Sequence, residues 1–73
     1  MTVEIWGKEN CPYCTKAKAL VESKGMQYIY KQLGVDFTRE QVFEEFPTAR
    51  TFPQIKINNE PIGGYQELYD KVG

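Results

Sequence analysis

The sequence has no histidine, only two cysteines and no long apolar run among its 73 residues. The lack of histidine removes the most frequent general base and the most frequent metal ligand of proteins. No apolar stretch approaches the about 18 residues that indicate a membrane-spanning helix, and no signal-peptide pattern is present. We therefore expect a soluble, cytoplasmic protein that makes no membrane contact.

The sequence also lacks an excess of positive or negative charge. Nine Lys and Arg residues are scattered among ten Asp and Glu residues, and the formal net charge is −1. No basic run is present of the kind that binds nucleic acid, and there is no acidic tail. The length suits one domain, so we predict a single domain over residues 1–73, monomeric and without a nucleic-acid partner.

The two cysteines, Cys11 and Cys14, are three residues apart. A disulfide between them closes so short a loop that it stabilises the fold little. In a reducing cytosol such a pair serves redox chemistry more often than permanent cross-linking. Half of a zinc site and an inert structural pair are the alternatives. A zinc site within one chain would need a second cysteine pair or histidines, so we expect no metal.

The hydrophobic pattern predicts the element order β-α-β-α-β-β-α. Pro12 suits a first helical position, and Gly25 suits a helix end. Thr38 and Gln41 have the spacing of a capping box for the second helix, which we expect to reach about Phe46. The predicted strands are Thr2–Trp6, Gln27–Gln32, Gln54–Ile57 and Glu60–Ile62, and the predicted last helix is Tyr65–Val72.

These elements predict an α/β fold. The first strand–helix–strand unit forms a parallel pair with a right-handed crossover. Asn58-Asn59 suits the turn of an antiparallel hairpin that extends this pair. The result is a four-stranded mixed sheet flanked by three helices. The helix residues expected to face inward are Val42, Phe43 and Phe46 in the second helix and Leu68 and Val72 in the last.

Cys11 lies in the predicted loop before the first helix, and Cys14 lies in its first turn. Unpaired N–H groups and the helix dipole stabilise a thiolate at this position, and the thiolate is the form that attacks disulfides. Lys8 can add positive charge. We predict that Cys11 attacks a substrate disulfide and that Cys14, or an external thiol, resolves the mixed disulfide. This chemistry needs no general base.

Three motifs carry a resemblance to a known family. Cys11-Pro12-Tyr13-Cys14 resembles the active-site motif of the dithiol glutaredoxins. Thr51-Phe52-Pro53-Gln54 is similar to the family's Thr-Val-Pro-Gln, and Gly63-Gly64 precedes the last helix as it does in the family. The resemblance covers nearly the whole chain. It implies a thioredoxin-like fold and a thiol–disulfide oxidoreductase that uses glutathione as its reductant and co-substrate.

The resemblance also implies how one part of glutathione is bound. The proline corresponding to Pro53 is cis in the family, and the isomer is only mildly unfavourable before proline. Phe52, which follows Thr51 in this loop, would offer its N–H and C=O groups to the cysteine of glutathione, as in an added strand. Tyr13 would flank the bound tripeptide.

The resemblance implies further contacts to the charged ends of glutathione. The γ-glutamyl carboxylate would lie at the start of the last helix, near Gly64, Tyr65 and Gln66, where backbone N–H groups suit an anion. The glycyl carboxylate would meet Lys8 and Arg39. Many family members have Cys-Asp where this sequence has Tyr65-Gln66, so Gln66 can accept a hydrogen bond but brings no charge.

The expected substrates are disulfide-containing proteins and glutathione mixed disulfides, with a ribonucleotide reductase as a candidate acceptor by family analogy. Two alternatives keep the same fold. One is a redoxin that takes electrons from thioredoxin reductase instead of glutathione. The other is an iron–sulfur carrier in which two chains and two glutathiones hold the cluster, and the stiffness that Pro12 gives the loop argues against it.

Overall fold

The structure, a computed structural model, describes residues 2–73 and confirms the predicted element order. The elements are β1 (Thr2–Gly7), α1 (Pro12–Ser23), β2 (Gln27–Gln32), α2 (Arg39–Glu45), β3 (Gln54–Ile57), β4 (Glu60–Gly63) and α3 (Tyr65–Val72). The strands form one sheet in the order β2-β1-β3-β4. β1 and β2 are parallel, whereas β1–β3 and β3–β4 are antiparallel. The predicted mixed sheet flanked by three helices is therefore confirmed.

One face of β1 belongs to the main core. Val3 and Ile5 are fully buried, and they pair across the ladder with Ile57 and Ile55 on β3. Leu68 of α3 is also fully buried in this cluster, and Val72 packs against it as predicted. The strands β1 and β4 end at the same edge of the sheet, because both are antiparallel to β3. The N-termini of α1 and α3, which follow these strands, consequently lie at one edge.

The other face of β1 carries Trp6, which packs on α2 and the segment before it. The Trp6 ring lies 4.7 Å from the Phe37 ring and 5.5 Å from the Phe46 ring, measured between centroids. Val42 joins this cluster because residues four apart share a helix face. The prediction that Phe43 faces inward is wrong, since its side chain is 50% exposed. One residue turns a helix by about 100°, which points Phe43 away from Trp6.

The element bounds differ from the prediction at three ends. β1 extends to Gly7, β4 extends to Gly63, and α2 ends at Glu45 with Phe46 as its C-cap. The hairpin between β3 and β4 is confirmed. Asn58 and Asn59 have φ values of 51° and 67°, as its two-residue turn requires. No helix within residues 2–73 combines the length and apolar character needed to cross a membrane.

Candidate active site

The cysteine pair lies where β1 passes into α1, and the two sulfurs form a disulfide. Cys11 is the N-cap of α1, Pro12 is its first residue, and Cys14 lies in its first turn. The backbone N–H of Cys14 donates a hydrogen bond to Sγ of Cys11 over 3.2 Å. Cys14 is fully buried, whereas Cys11 is partly exposed. Only Cys11 can therefore be reached by a disulfide arriving from solvent.

The loop before β3 runs beside Cys11. The Phe52–Pro53 peptide bond is cis, as the resemblance implies. The carbonyl oxygen of Phe52 lies 3.7 Å from Sγ of Cys11. The side-chain amide of Gln54 donates a hydrogen bond to the carbonyl of Thr51 over 2.7 Å, which closes the loop on itself. The backbone of Phe52 is thus held next to the sulfur that faces solvent.

A groove of about 440 Å³ extends from this loop to the start of α3. Its walls come from α1, the cis-proline loop and the first turn of α3. The Tyr13 and Tyr65 rings, 5.8 Å apart between centroids, lie together on it. Seven of the predicted glutathione-binding residues line the groove, together with Glu67: Tyr13, Thr51, Phe52, Pro53, Gly64, Tyr65 and Gln66.

The first turn of α3 carries an acidic residue that the sequence analysis did not single out. A carboxylate oxygen of Glu67 accepts a hydrogen bond from the backbone N–H of Gly64 over 2.7 Å. Gln66, in contrast, donates its side-chain amide to Asp70 along the helix over 3.0 Å. The spacing of Glu67, three residues after the N-cap, is the signal that could have identified it.

Lys8 and Arg39 lie outside this groove. The Lys8 ammonium is 5.8 Å from the centroid of the Phe52 ring, and Lys8 lines a separate open hollow together with Cys11. Arg39 lines a separate cavity of about 70 Å³ that shares Thr51 and Phe52 with the groove. Arg50, which the sequence analysis also missed, lines the same cavity. Thr51 and Phe52 of the cis-proline loop therefore line both the tyrosine-lined groove and a second cavity that Arg39 and Arg50 also line.

Tyr30 of β2 packs behind Cys14, in space that Gly7 leaves open. A Cβ atom on Gly7 would lie 2.9 Å from Cζ of Tyr30 and 3.1 Å from Cβ of Cys14. Burial raises the pKa of the Tyr30 hydroxyl above its usual value. Within residues 2–73, no three His, Cys, Asp or Glu side chains converge as metal ligands would.

The chain is similar in sequence to known proteins. A sequence profile described as Glutaredoxin matches residues 3–62. Glutaredoxin 3 of Escherichia coli (strain K12) is 43% identical over 70 residues, which cover 92% of this chain and 81% of that protein. The protein named Probable glutaredoxin in Synechocystis sp. is 41% identical over 68 residues. That match covers 92% of this chain and 62% of the relative, so this chain spans less than two thirds of its length.

A solved structure agrees with the sequence matches. The NMR structure of reduced Escherichia coli glutaredoxin has a TM-score of 0.81 and 32% sequence identity, and the match covers 99% of this chain and 93% of that one. This likeness confirms the predicted thioredoxin-like fold.

Proposed function

Because the chain belongs to the glutaredoxin family of thiol–disulfide oxidoreductases, we propose that it reduces protein disulfides and glutathione mixed disulfides with electrons from glutathione. The observation that carries the proposal is the position of Cys11. Its sulfur accepts the Cys14 N–H at the start of α1 and lies 3.7 Å from the carbonyl oxygen of Phe52, a residue that lines the groove. A family that uses glutathione, together with a groove beside an accessible sulfur, favours this reductant.

The first step is attack by the Cys11 thiolate on one sulfur of a substrate disulfide. A new S–S bond forms to Cys11, and the other substrate sulfur leaves as a thiolate and takes a proton from water. The N–H groups at the start of α1 stabilise the attacking thiolate, as does the helix dipole. No side chain has to remove a proton during the attack, which agrees with the absence of histidine.

The second step depends on the substrate. With a protein disulfide, the Cys14 thiolate attacks the Cys11 sulfur, which releases the reduced protein and leaves the Cys11–Cys14 disulfide. Two glutathione molecules then restore the dithiol and leave as one molecule of oxidised glutathione, so two electrons pass in total. With a glutathione mixed disulfide, Cys11 takes the glutathionyl group, and one further glutathione releases it without Cys14.

The groove supplies contacts for the backbone of glutathione in this proposal. The N–H and C=O groups of Phe52 pair with its cysteine residue, and the Tyr13 ring flanks the peptide. The γ-glutamyl carboxylate meets the start of α3 at Gly64, Tyr65 and Gln66. Pro53 and Thr51 hold the loop that presents Phe52.

Charged side chains around the groove suit the glycyl carboxylate and the γ-glutamyl ammonium of glutathione. The glycyl carboxylate is assigned to Lys8, whose ammonium lies beside the Phe52 ring, with Arg39 as the second cation. Glu67 supplies the acidic group that Gln66 does not, and it is assigned to the ammonium of the γ-glutamyl residue. Opposite charges at both ends fix the orientation of glutathione and hence the position of its sulfur.

The proposed partners follow from this chemistry. They are glutathione and proteins with an accessible disulfide, and a ribonucleotide reductase is a candidate acceptor by family analogy. We propose that residues 1–73 act as one monomeric domain in the cytoplasm.

A coupled turnover assay tests the proposal. The substrate is the mixed disulfide of glutathione and 2-mercaptoethanol, and electrons come from glutathione with glutathione reductase or, separately, from thioredoxin reductase. We expect turnover with glutathione and none with thioredoxin reductase. Turnover with thioredoxin reductase alone would keep the cysteine chemistry and contradict the assignment of the groove to glutathione.

A further inference from the structure

Three tyrosine rings form a continuous row that starts at the cysteine pair and runs along α3. Tyr13, between the two cysteines, lies 5.8 Å from Tyr65 between ring centroids, and Tyr65 lies 6.2 Å from Tyr69. Both separations fall within the range of favourable aromatic pairs. Tyr13 is 55% exposed and Tyr69 is 49% exposed. The row is therefore a packed but open aromatic surface.

Lys16 of α1 places its ammonium 5.0 Å from the centroid of the Tyr13 ring, at the cysteine end of the row, and polar side chains of α3 bond within the helix. Gln66 is hydrogen-bonded to Asp70, and Glu67 is hydrogen-bonded to the backbone of Gly64. Exposed contiguous aromatic surface is uncommon on small proteins and marks contact with a partner. Tyrosine suits such contact because a large ring is ordered at a small cost in conformational entropy.

Tyr69 differs from the other two rings because it does not line the groove. It lies four residues, about 6 Å, beyond Tyr65 along α3. A tripeptide that fills the groove and ends at the start of α3 stops short of this residue. An extended polypeptide advances about 3.3 Å per residue, so two residues beyond the groove bring it to Tyr69.

We infer that Tyr69, with Tyr65, binds the polypeptide that flanks the reacting half-cystine of a protein disulfide, and that it makes no contact with glutathione. The inference rests on the proposed function and deepens it. Tyr13 and Tyr65 contact both glutathione and the polypeptide of a protein disulfide, whereas Tyr69 contacts only the polypeptide. The surface thereby favours disulfides in polypeptides over small mixed disulfides. The occupant is continuous with the groove, because its sulfur is the one that Cys11 attacks.

The test compares the turnover of two substrates by the unsubstituted chain and by its variants. The small substrate is the glutathione–2-mercaptoethanol mixed disulfide. The long substrate is a synthetic peptide disulfide with four residues on each side of the half-cystine. We expect Tyr69→Ala to lower kcat/KM for the peptide about tenfold, the size of effect that loss of a central aromatic contact produces. Turnover of the small substrate should stay within about twofold of the unsubstituted chain.

Three further variants distinguish the loss of a substrate contact from damage to the fold. Tyr69→Phe keeps the ring and should restore peptide turnover, whereas Tyr69→Gln, with a good helix former, should behave like Tyr69→Ala. Ile29→Ala removes a similarly exposed apolar side chain (51%) from β2, the edge strand opposite β4, and should change the turnover of neither substrate. Far-UV circular dichroism checks that α3 is intact.

Equal loss for both substrates in Tyr69→Gln, or no loss for the peptide, would overturn the inference while the proposed function stands. A dimer of the unsubstituted chain that Tyr69→Ala dissociates would overturn it too, because a second copy would then be the occupant. Failure of the unsubstituted chain to turn over either substrate with glutathione would overturn the proposed function and the inference together.

Discussion

The carboxylate of Glu67 accepts a hydrogen bond from the backbone N–H of Gly64 over 2.7 Å, at the point where the groove meets α3. This contact caps the helix and also sets a negative charge at the groove wall. The two effects can be separated, because glutamine accepts the same hydrogen bond without the charge.

Glu67→Gln should therefore raise KM for the glutathione–2-mercaptoethanol mixed disulfide about three- to tenfold, since the γ-glutamyl ammonium loses its partner. The free energy of unfolding should change by less than about 0.5 kcal/mol, because the cap is kept. Steady-state kinetics and urea unfolding measure the two quantities. An unchanged KM would remove Glu67 from the glutathione site. Glu60→Gln, a substitution on the hairpin between β3 and β4, is the matched control and should leave both values unchanged.

Gly7→Ala should destabilise the protein by about 1–3 kcal/mol, the usual cost of overpacking. The added methyl group would lie 2.9 Å from Cζ of Tyr30 and would press on Cβ of Cys14. Urea unfolding measures the loss. In a Tyr30→Ala background the same substitution should cost much less, because the obstructing ring is gone. An equal cost in both backgrounds would show that Tyr30 does not occupy this space.

The Glu45–Lys56 ion pair should make stability depend on acid pH. The hydrogen bond and charge of Lys56 hold the pKa of Glu45 below its ordinary value of 4.5. Its stabilising effect is therefore complete above the unfolded-state value and is lost as pH falls through the lower, folded-state value. Glu45→Gln should reduce the free energy of unfolding at pH 7, and its difference from the unsubstituted chain should vanish in strong acid.

Glu44→Gln is the matched control for this pair. The described part of the chain shows no ion pair for Glu44, so its substitution should leave the pH profile as it is. Denaturant unfolding of the three proteins between pH 2 and pH 7, about the range over which carboxylates titrate, gives the comparison. A constant difference between the unsubstituted chain and Glu45→Gln across that range would contradict the ion pair.

Much of the fold was predictable because its signals are local. Alternation placed Val3 and Ile5 on one face of β1, and the spacing of Thr38 and Gln41 identified the start of α2. The orientation of Phe43 was not predictable, because Val42, Phe43 and Phe46 span about 100° of the helix, which is the usual width of one apolar face, and the local pattern does not show which edge of that face is exposed. The contact between Trp6 and Phe46 decides which of them are buried, and that contact joins elements far apart in sequence.

Some residues of the candidate site were likewise predictable from the sequence, and others were not. Cys11 and Cys14 were predicted from their spacing and their place at the start of the first helix, and the groove residues from the resemblance that the motifs carry. Glu67 was missed because an acidic residue in a first helical turn is usually a solvated one; its spacing from Gly64 indicates a capping role, and its hydrogen bond to Gly64 shows it. The packing of Tyr30 against Gly7 depends on the parallel pairing of β1 with β2, so no local pattern reports it.

In the proposed mechanism Cys11 attacks the substrate, and Cys14 only resolves the mixed disulfide. Turnover of Cys11→Ser and Cys14→Ser with glutathione on the small mixed disulfide tests it most directly. We predict that Cys11→Ser has no turnover above the uncatalysed rate and that Cys14→Ser keeps substantial turnover. Substantial turnover by Cys11→Ser would contradict the assignment of the nucleophile.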